Sequence, residues 1–510
     1  MALCPRQRPV MPSGSIGRGA GRSLVRAGAL SAAVGQASPV RTPSPWAAAT
    51  GLALAAGTAL AYRTTQENSI LGNSDRLLLE IMAWWVAWAV ALPCLRRTPA
   101  RTALLLVVVG TIALRAAALT PVVPLSDDLY RYAWDGAVQA SGTSPYRYPP
   151  TAPELAELRT EWLFPGAEEC EQDVGRPAGC TRINREDVRT IYPPVAQAWF
   201  LLGHSLGASE LRDLGWELLA LAADLATVLL LWRLLAARGR DPRWVAVYAW
   251  SPVAVLEAVQ NGHVDGLATL LVVAAVALAG RRPGWSGAAL GVATMVKLYP
   301  ALLLPVLLSK RPLRVGTAFL AVCVVSYVPH VLAAGWDVLG FLPGYVREED
   351  YGSGERFLLL RPLGLVGTPA TVVAVLFGLA VLAVVLRRLP TARPEDSAVL
   401  LLGAALLVAT PVQPWYGLPL AALAALAGRP AWLAVPAAAY PAFFAVVPDG
   451  PSEGAFRTSS AAFAAALLVV LVSWGRRRRV TQRCRPSASS HGAGGPRCRS
   501  GRARRPAAPP

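Results

Sequence analysis

Ionisable and aromatic side chains are concentrated in the segment Ser126–Gly136, directly after an apolar run from Thr102 to Thr120. It holds Asp127 and Asp128, which we predict to be catalytic, and Arg131, Tyr132, Trp134 and Asp135, which we predict to contact a substrate. Ionisable groups at the mouth of a membrane helix are costly and therefore indicate function. One carboxylate beside another raises the proton affinity of the pair, which suits a general base near neutral pH. The pair could instead bind a divalent cation such as Mg²⁺ or Mn²⁺, or an aspartate here could simply cap a helix.

A second polar group lies between two apolar runs. It comprises Glu257, Gln260, Asn261, His263 and Asp265 around Gly262. Such a density of hydrogen-bonding side chains is typical of sugar recognition, so we predict that Glu257, Gln260, His263 and Asp265 contact a donor or acceptor. A tight turn between helices is the alternative, because Asn-Gly is common in turns. A turn explains Asn261 and Gly262 but not the other three charged or ionisable residues together.

A lysine within an apolar stretch forms the third candidate. Arg outnumbers Lys 47 to 2 in the chain, and Lys297 lies in the string Met295–Pro300. A charge inside a span usually faces a cavity or a partner. Lys297, followed by Tyr299, is therefore predicted to bind a phosphate or phosphodiester arriving from the lipid, while Pro300 would break the helix there. Alternatively, Lys297 reaches the membrane interface.

Aromatic residues mark the remaining candidate positions. Gln413, Trp415 and Tyr416 follow a Pro-bracketed kink, and Tyr146 and Tyr192 lie near the two ends of a long polar segment. We predict that these five residues contact substrate, although aromatic belts also populate membrane interfaces. The sequence has no Walker loop, dinucleotide fingerprint or His-Glu-x-x-His motif, which disfavours nucleotide-driven transport and metalloprotease chemistry.

The elements that must position these residues are membrane helices. The chain is 54% hydrophobic and only 16% charged, and apolar runs recur from Trp46 to Trp474. This predicts an all-α polytopic membrane protein of about 11 to 14 spans, with Arg-rich short loops on the cytoplasmic side. The membrane domain is predicted at 46–475, with an extracytoplasmic loop at 121–213. The stretch 193–207 is expected to be interfacial or re-entrant, and 299–308 is too short for a full span.

The two tails carry nearly all of the excess charge. The net charge is +18, and residues 1–45 and 476–510 hold six and eleven Arg without an acidic residue. Both are predicted to be disordered cytoplasmic tails that contact anionic membrane lipid. No nucleic-acid partner is expected, since no basic domain with interleaved aromatics is present. Within the long loop, Cys170 and Cys180 are close enough to form a disulfide in an oxidising compartment.

The ordered set of motifs resembles a known family. Ser126–Gly136 is followed by Ser144-Pro145-Tyr146, Ile191–Pro194, Gly262–Asp265, Lys297–Pro300 and Pro414–Tyr416. Over roughly residues 100–420 the chain resembles the bacterial multi-spanning (C-type) glycosyltransferases, in particular their polyprenol-phosphate-mannose-dependent mannosyltransferase-like branch. The inserted Cys-containing stretch Glu168–Cys180 and the spans before residue 100 depart from that pattern.

The resemblance implies a C-type glycosyltransferase-like helical bundle in a bacterial cell membrane. It implies a polyprenyl-phosphate sugar donor, an extracytoplasmic glycan or lipid-linked acceptor, and a metal requirement that varies between branches. Asp128 takes the place of the general base, Asp127 is its acidic neighbour, and Lys297 falls in a Lys-x-x-Pro motif. Transfer would be a single displacement with inversion, in which Lys297 and Arg131 stabilise the departing phosphate.

Two other classes of protein share part of this pattern. A secondary transporter or lipid flippase would also have many spans, broken helices and charges at membrane depth. The acidic residues concentrate at one outer mouth, however, and no repeated half is evident, which favours the enzyme. A non-catalytic assembly scaffold would tolerate replacement of the outer acidic residues.

Overall fold

The computed structural model of the chain describes residues 44–66, 72–119, 125–172, 179–308, 311–348, 354, 356–448 and 450–483. The regular elements of these described residues are all helical. The prediction of an all-α polytopic membrane protein is confirmed.

The α-helices of the described residues are α1 (Pro45–Thr65), α2 (Ser74–Arg97), α3 (Ala100–Ala118), α4 (Asp128–Ala140), α5 (Ala167–Gln172), α6 (Pro194–Ser205), α7 (Asp213–Ala237), α8 (Ala246–Ala249), α9 (Pro252–Val255), α10 (Asp265–Leu278), α11 (Pro283–Thr294), α12 (Leu304–Leu307), α13 (Pro312–Ala334), α14 (Leu342–Glu348), α15 (Gly367–Arg388), α16 (Pro394–Ala409), α17 (Leu418–Ala427), α18 (Ala434–Val446) and α19 (Glu453–Arg483). The longest intervals between consecutive α-helices follow α4, α5 and α14.

Six helical segments of the described residues are long and apolar enough to cross a membrane. They are Ser74–Arg97, Ala100–Ala118, Asp213–Ala237, Pro312–Glu348, Gly367–Arg388 and Glu453–Arg477. Shorter apolar helices lie at Asp265–Leu278, Pro414–Ala427 and Pro430–Val446. The predicted total of 11 to 14 spans stays a prediction, because several predicted spans are interrupted.

Proline divides these interrupted segments. The apolar segment 243–260 consists of short helices and ends in the π-helix Leu256–Gln260, and a new helix begins at Pro252. The segment 299–308 is a 3-10 helix, Tyr299–Leu303, followed by α12. Proline lacks a backbone N–H and is favoured in the first turn of a helix, so it ends one helix and begins the next. These breaks bring polar loop residues between the apolar helices.

The membrane helices differ in what surrounds them. α17 is buried along its whole length and packs against α10 and α16. In contrast, α13 and α15 leave most of their apolar side chains exposed on the surface of the bundle. A helix that is apolar all round and largely exposed is stable in contact with lipid. We therefore take α17 as the centre of the bundle, with α13 and α15 on its lipid-facing side.

The amphipathic helix α4 is held in a second, aromatic core. Tyr132 of α4 stacks on Phe200 of α6, with ring centroids 4.4 Å apart. The two helices approach closely at Gly136, where an added Cβ would lie 2.6 Å from the carbonyl oxygen of Phe200. A glycine is thus required at this crossing, and it fixes α4 against α6. The stretch predicted to be interfacial or re-entrant, 193–207, corresponds to α6.

The long loop after α4 is ordered where it is described. Cys170 and Cys180 form a disulfide. The 3-10 helix Pro153–Leu158 and the turn around Thr181 pack against the aromatic core through Leu155, Leu163 and Ile183. The loop therefore forms a small folded layer on α4.

The two basic tails lie mostly outside the described residues, at 1–43 and 484–510. The last helix, α19, continues through Arg483 and so extends into the segment 476–510 that was predicted to be disordered. Basic residues at the end of a helix interact favourably with its dipole, and Arg is a good helix former, which explains the longer helix.

Candidate active site

One cavity of about 750 Å³ lies where α4, the segment 182–193 and the broken helices meet. It is lined by nine of the residues that the sequence singled out: Asp127, Asp128, Arg131, Tyr192, Lys297, Tyr299, Gln413, Trp415 and Tyr416. The lining also includes apolar side chains, namely Leu298, Leu302, Phe341, Val346, Leu406 and Val447. The cavity therefore offers both charged and apolar groups to one ligand.

Asp128 begins α4 and is surrounded by hydrogen-bond donors. Asn184 Nδ2 donates to its Oδ1 at 2.9 Å, and the Tyr192 hydroxyl donates to its Oδ2 at 3.1 Å. Burial alone would raise the pKa of Asp128, but His263, Lys297 and Asn184 lower it well below its usual range. Donors and cations favour the charged form of a carboxyl group. The side chain is an ionised carboxylate on the cavity wall.

His263 lies directly behind Asp128, between two carboxylates. Its Nδ1 is 3.5 Å from Asp128 Oδ2 and its Nε2 is 3.4 Å from Glu257 Oε2. The imidazole also stacks on the Trp415 ring, with centroids 4.1 Å apart. Burial would lower the pKa of His263, but the two carboxylates raise it to about 9. The protonated imidazole therefore lies between the two carboxylates and offsets one of their two negative charges.

The turn that delivers His263 depends on its glycine. Gly262 has a φ of +59°, a conformation that residues with a side chain rarely adopt. Asn261 follows the π-helix; its Oδ1 accepts the Leu125 backbone N–H at 3.1 Å and its Nδ2 donates to Glu257 at 3.0 Å. The tight turn, which was the alternative for this motif, is therefore present, and contact of its polar side chains with a sugar stays a prediction.

The four residues predicted to form a sugar-binding surface lie behind the cavity wall. Glu257 accepts a hydrogen bond of 2.7 Å from the Tyr440 hydroxyl, and Gln260 accepts one of 3.4 Å from Thr64. His263 and Asp265 contact the wall residues Asp128 and Lys297. These side chains are buried, and they support the residues that face the cavity.

Lys297 faces the cavity from the break before the 3-10 helix Tyr299–Leu303. Its Nζ donates to Asp265 Oδ2 at 3.0 Å, and the Tyr299 hydroxyl donates to Asp265 Oδ1 at 3.2 Å. The ammonium also lies 5.3 Å from the Tyr192 ring centroid and 5.7 Å from that of Tyr416. A buried cation needs such pairing. Lys297 is thus held in place by Asp265 and two rings rather than extended to the interface.

Arg131 lines the cavity and also holds the loop through several hydrogen bonds. It pairs with Asp135 at 3.1 Å, and its Nη atoms donate to the carbonyls of Arg185 and Val188 at 3.4 and 3.0 Å. Asp135 in turn accepts hydrogen bonds from Thr190 and Gln197. These bonds fix the segment 185–190, and the role of Arg131 at the departing phosphate stays a prediction.

The other predicted residues divide between the wall and the aromatic core. Tyr132 and Trp134 lie in the core, where Trp134 packs edge-on against Phe164. Tyr146 is buried and donates to the Tyr192 carbonyl at 2.7 Å. On the wall, the Tyr416 hydroxyl lies 2.9 Å from that of Tyr345. Gln413 Oε1 accepts a hydrogen bond of 3.4 Å from Arg356.

Several wall residues were missed by the sequence analysis. They are Asn184, Tyr345 and the arginines Arg182, Arg185 and Arg189. The three arginines recur at intervals of three and four residues between Cys180 and Tyr192, a pattern that could have drawn attention to this segment. Asn184 had no signal of this kind, because its role depends on Asp128, 56 residues earlier.

The residues near Asp128 do not resemble a metal site. No group of three or more His, Cys, Asp or Glu side chains within the described ranges is placed to hold one metal ion. Both oxygens of Asp128 contact protein donors or the imidazole of His263. A divalent cation prefers several free oxygen ligands, so no step below is derived through a metal.

Comparison with known proteins points to one family. Residues 190–411 match Glycosyltransferase family 87. The match covers less than half of the 510 residues; it contains Tyr192, His263, Asp265 and Lys297, and it begins after Asp128. It agrees with the resemblance to multi-spanning glycosyltransferases. No curated protein and no solved structure matches the chain.

Proposed function

We propose that the protein is a membrane glycosyltransferase that moves a sugar, mannose by resemblance, from a polyprenyl-phosphate donor to a glycan or lipid-linked acceptor. The observation that carries this proposal is one cavity whose lining combines the carboxylate of Asp128, the ammonium of Lys297 and a set of apolar side chains. A lipid-phosphate sugar has the complementary parts: a hydroxyl-rich ring, an anion and a hydrocarbon chain. The match to Glycosyltransferase family 87 supports the reaction class.

Asp128 acts as the general base in this proposal. It takes the proton of the acceptor hydroxyl, whose oxygen attacks the anomeric carbon while the bond from that carbon to the phosphate oxygen breaks. The electron pair leaves with the phosphate, and one displacement inverts the anomeric configuration. A carboxylate with a depressed pKa is a weak base. The arriving donor phosphate is a negative charge close to Lys297, and it raises the pKa of Asp128 at the moment when the proton is taken.

Lys297 binds the phosphate as it departs. The ammonium offsets negative charge that develops on the leaving oxygen, and such stabilisation is strong in a site that excludes water. Asp265 and the rings of Tyr192 and Tyr416 keep Nζ at the cavity wall. Arg131 is bonded to Asp135 and to two loop carbonyls, so the proposal assigns the phosphate to Lys297 alone.

The hydrocarbon chain of the donor contacts apolar residues of the cavity in this proposal. Leu298, Leu302, Val346 and Val447 line the cavity and are also partly open to the surface of the bundle, with 37 to 48% of each residue exposed. Burial of such surface against a hydrocarbon chain contributes roughly 25 cal/mol per Å². The Arg-rich short loops favour a cytoplasmic position for both termini and an extracytoplasmic position for the cavity, in a bacterial cell membrane.

The test is transfer of label by the purified full-length protein in lipid. Radiolabelled polyprenyl-phosphate mannose is incubated with a bacterial membrane glycolipid extract and with wild type, Asp128→Asn or Asp187→Asn. Asp187 lies exposed on the loop, bonded to Thr151 and away from the cavity, and serves as the matched control. We expect transfer with wild type and Asp187→Asn and none with Asp128→Asn. Normal transfer with Asp128→Asn would refute the base. The absence of transfer with all polyprenyl-phosphate sugars would favour a transporter, flippase or scaffold.

A further inference from the structure

The loop segment that carries Asn184 reaches into the cavity and contacts the carboxylate of Asp128. Asn184 Nδ2 donates to Oδ1 at 2.9 Å, whereas the Tyr192 hydroxyl and the His263 imidazole both act on Oδ2. A carboxylate held on one oxygen only can still rotate about its Cβ–Cγ bond. The contact from Asn184 fixes the second oxygen and therefore the plane of the group.

The backbone that precedes Asn184 is fixed near the disulfide. The Arg182 N–H and the Thr181 hydroxyl both donate to the Leu163 carbonyl, at 2.9 and 2.6 Å. Cys180, immediately before Thr181, is bridged to the buried Cys170. The bridge ties the start of this segment to helix α5, which lies after Leu163 on the same folded layer.

The backbone that follows Asn184 is fixed by Arg131 of α4. Arg131 donates to the carbonyl of Arg185, the next residue after Asn184, and to that of Val188. Arg185 has a φ of +50°. A residue with a side chain is uncommon in this left-handed region and persists there where its surroundings hold it. The backbone on both sides of Asn184 is thus constrained, and its amide points at Asp128.

We propose that Asn184 is a positioning residue for Asp128 and that the Cys170–Cys180 disulfide acts on turnover by holding Asn184 in place. The inference rests on the proposed function, in which Asp128 is the base. In this proposal the inserted stretch Glu168–Cys180 has a function. Its disulfide stabilises the folded loop that holds Asn184 against Asp128. Breaking the bridge frees this segment and should lower turnover without removing any group that touches the substrate.

The acidic limb of the pH profile of kcat/KM distinguishes a loss of Asp128 positioning from a general loss of structure. Asn184 stabilises the charged form of Asp128, so its loss raises the pKa of that carboxyl group. The other titratable groups facing Asp128 are His263, Lys297, Tyr192, Tyr132 and the adjacent Asp127. These groups are unchanged in variants at position 184, and the shift of the limb therefore reports on Asn184.

The experiment compares Asn184→Ala and Asn184→Asp with wild type and with Asp187→Asn in the transfer assay. We expect kcat to fall roughly 10- to 100-fold with KM for the donor little changed, because a misplaced catalytic group can cost about 100-fold. The acidic limb of kcat/KM should move upward for Asn184→Ala and further for Asn184→Asp, which places a second carboxylate beside Asp128. Asn184→Asp keeps the size of the side chain, and size-exclusion chromatography shows whether each variant is folded.

The disulfide is tested by a mutant cycle. Cys170→Ser/Cys180→Ser should lower kcat in the same way, and adding Asn184→Ala should cost little more, because both changes act on the same contact. Cys323→Ser removes a cysteine outside the bridge and serves as the control. If the losses multiply, or if the bridge variant has normal kcat, the disulfide part of the proposal is overturned.

Failure of this inference and failure of the proposed function give different results. If Asn184→Ala has the same kcat and pH profile as wild type while Asp128→Asn is inactive, the positioning role of Asn184 is overturned. The assignment of Asp128 as the base then still stands. Full activity of Asp128→Asn would overturn the proposed function itself. A fall in kcat with no movement of the acidic limb in a folded Asn184→Asp variant would likewise contradict positioning of Asp128.

Discussion

Protonation of His263 should stabilise the folded protein at neutral pH. This stabilisation should disappear as the pH rises through about 9, where the imidazole loses its proton. In the folded protein the imidazole lies between the carboxylates of Asp128 and Glu257, and its pKa is raised from 6.5 to about 9. A group with a raised folded pKa contributes stability that is fully present below its unfolded pKa. That contribution is lost as the pH rises from about 6.5 through 9.

The size of the effect follows from the shift in pKa. Each pKa unit corresponds to about 1.36 kcal/mol, so the change from 6.5 to about 9 gives roughly 3 kcal/mol. It is large compared with a surface ion pair, which contributes about 0 to 1 kcal/mol. A fall of a few degrees in melting temperature should accompany it.

The titration can be observed directly because the chain has only four histidines. NMR of protein labelled at the histidine ring, with His263→Gln to assign the signal, gives the pKa of His263. Melting temperature is then recorded between pH 6 and 10 for wild type, His263→Gln and His330→Gln. His330 lies edge-on to the Tyr146 ring, with centroids 5.2 Å apart, and is the matched control.

Wild type and His330→Gln should lose stability over this pH range, and His263→Gln should already be destabilised at pH 6 and change less. A His263 signal that titrates at or below pH 6.5 would refute the reasoning. The same holds if the melting curves of wild type and His263→Gln depend on pH in the same way. In either case, the two carboxylates would not hold the proton on the imidazole.

Two further predictions concern single side chains. Lys297→Met should lower kcat by about 100-fold or more in the transfer assay, because one group that stabilises developing charge contributes roughly 3 to 4 kcal/mol; Lys297→Arg should retain part of the activity, and a fully active Lys297→Met would exclude phosphate binding. Gly136→Ala should destabilise the protein by about 1 to 3 kcal/mol, since the new Cβ would lie 2.6 Å from the Phe200 carbonyl oxygen. In Gly51→Ala the Cβ meets nothing within 4 Å, and thermal unfolding should show no such loss.

The candidate site illustrates how far sequence patterns reach. The types of residue at Asp128, His263 and Lys297 stand out in an apolar chain, because a charged group near lipid is rarely kept without use. The structure brings Asp128 and Lys297 to one cavity and His263 directly behind the wall. The order of the motifs suggested their common purpose, but nothing in the order says which side chains face the ligand.

Only the tertiary structure shows which of these side chains line the cavity and which lie behind it. Glu257, Gln260 and Asp265 share a motif with His263, yet their partners are Tyr440, Thr64 and Lys297. Glu257 and Tyr440 are 183 residues apart. Partners at such separations depend on how the helices pack, and a local pattern contains no information about that packing.

The sequence by itself determined the chemical class of the chain: an all-helical membrane protein with a few concentrated groups of charged residues. Length, hydropathy and charge are local quantities, so they are readable without a fold. The tertiary structure decided that proline divides several predicted spans, that Arg131 fixes the loop, and that Asn184 reaches Asp128. Each of these depends on the path of the backbone through space, which short-range residue patterns do not encode.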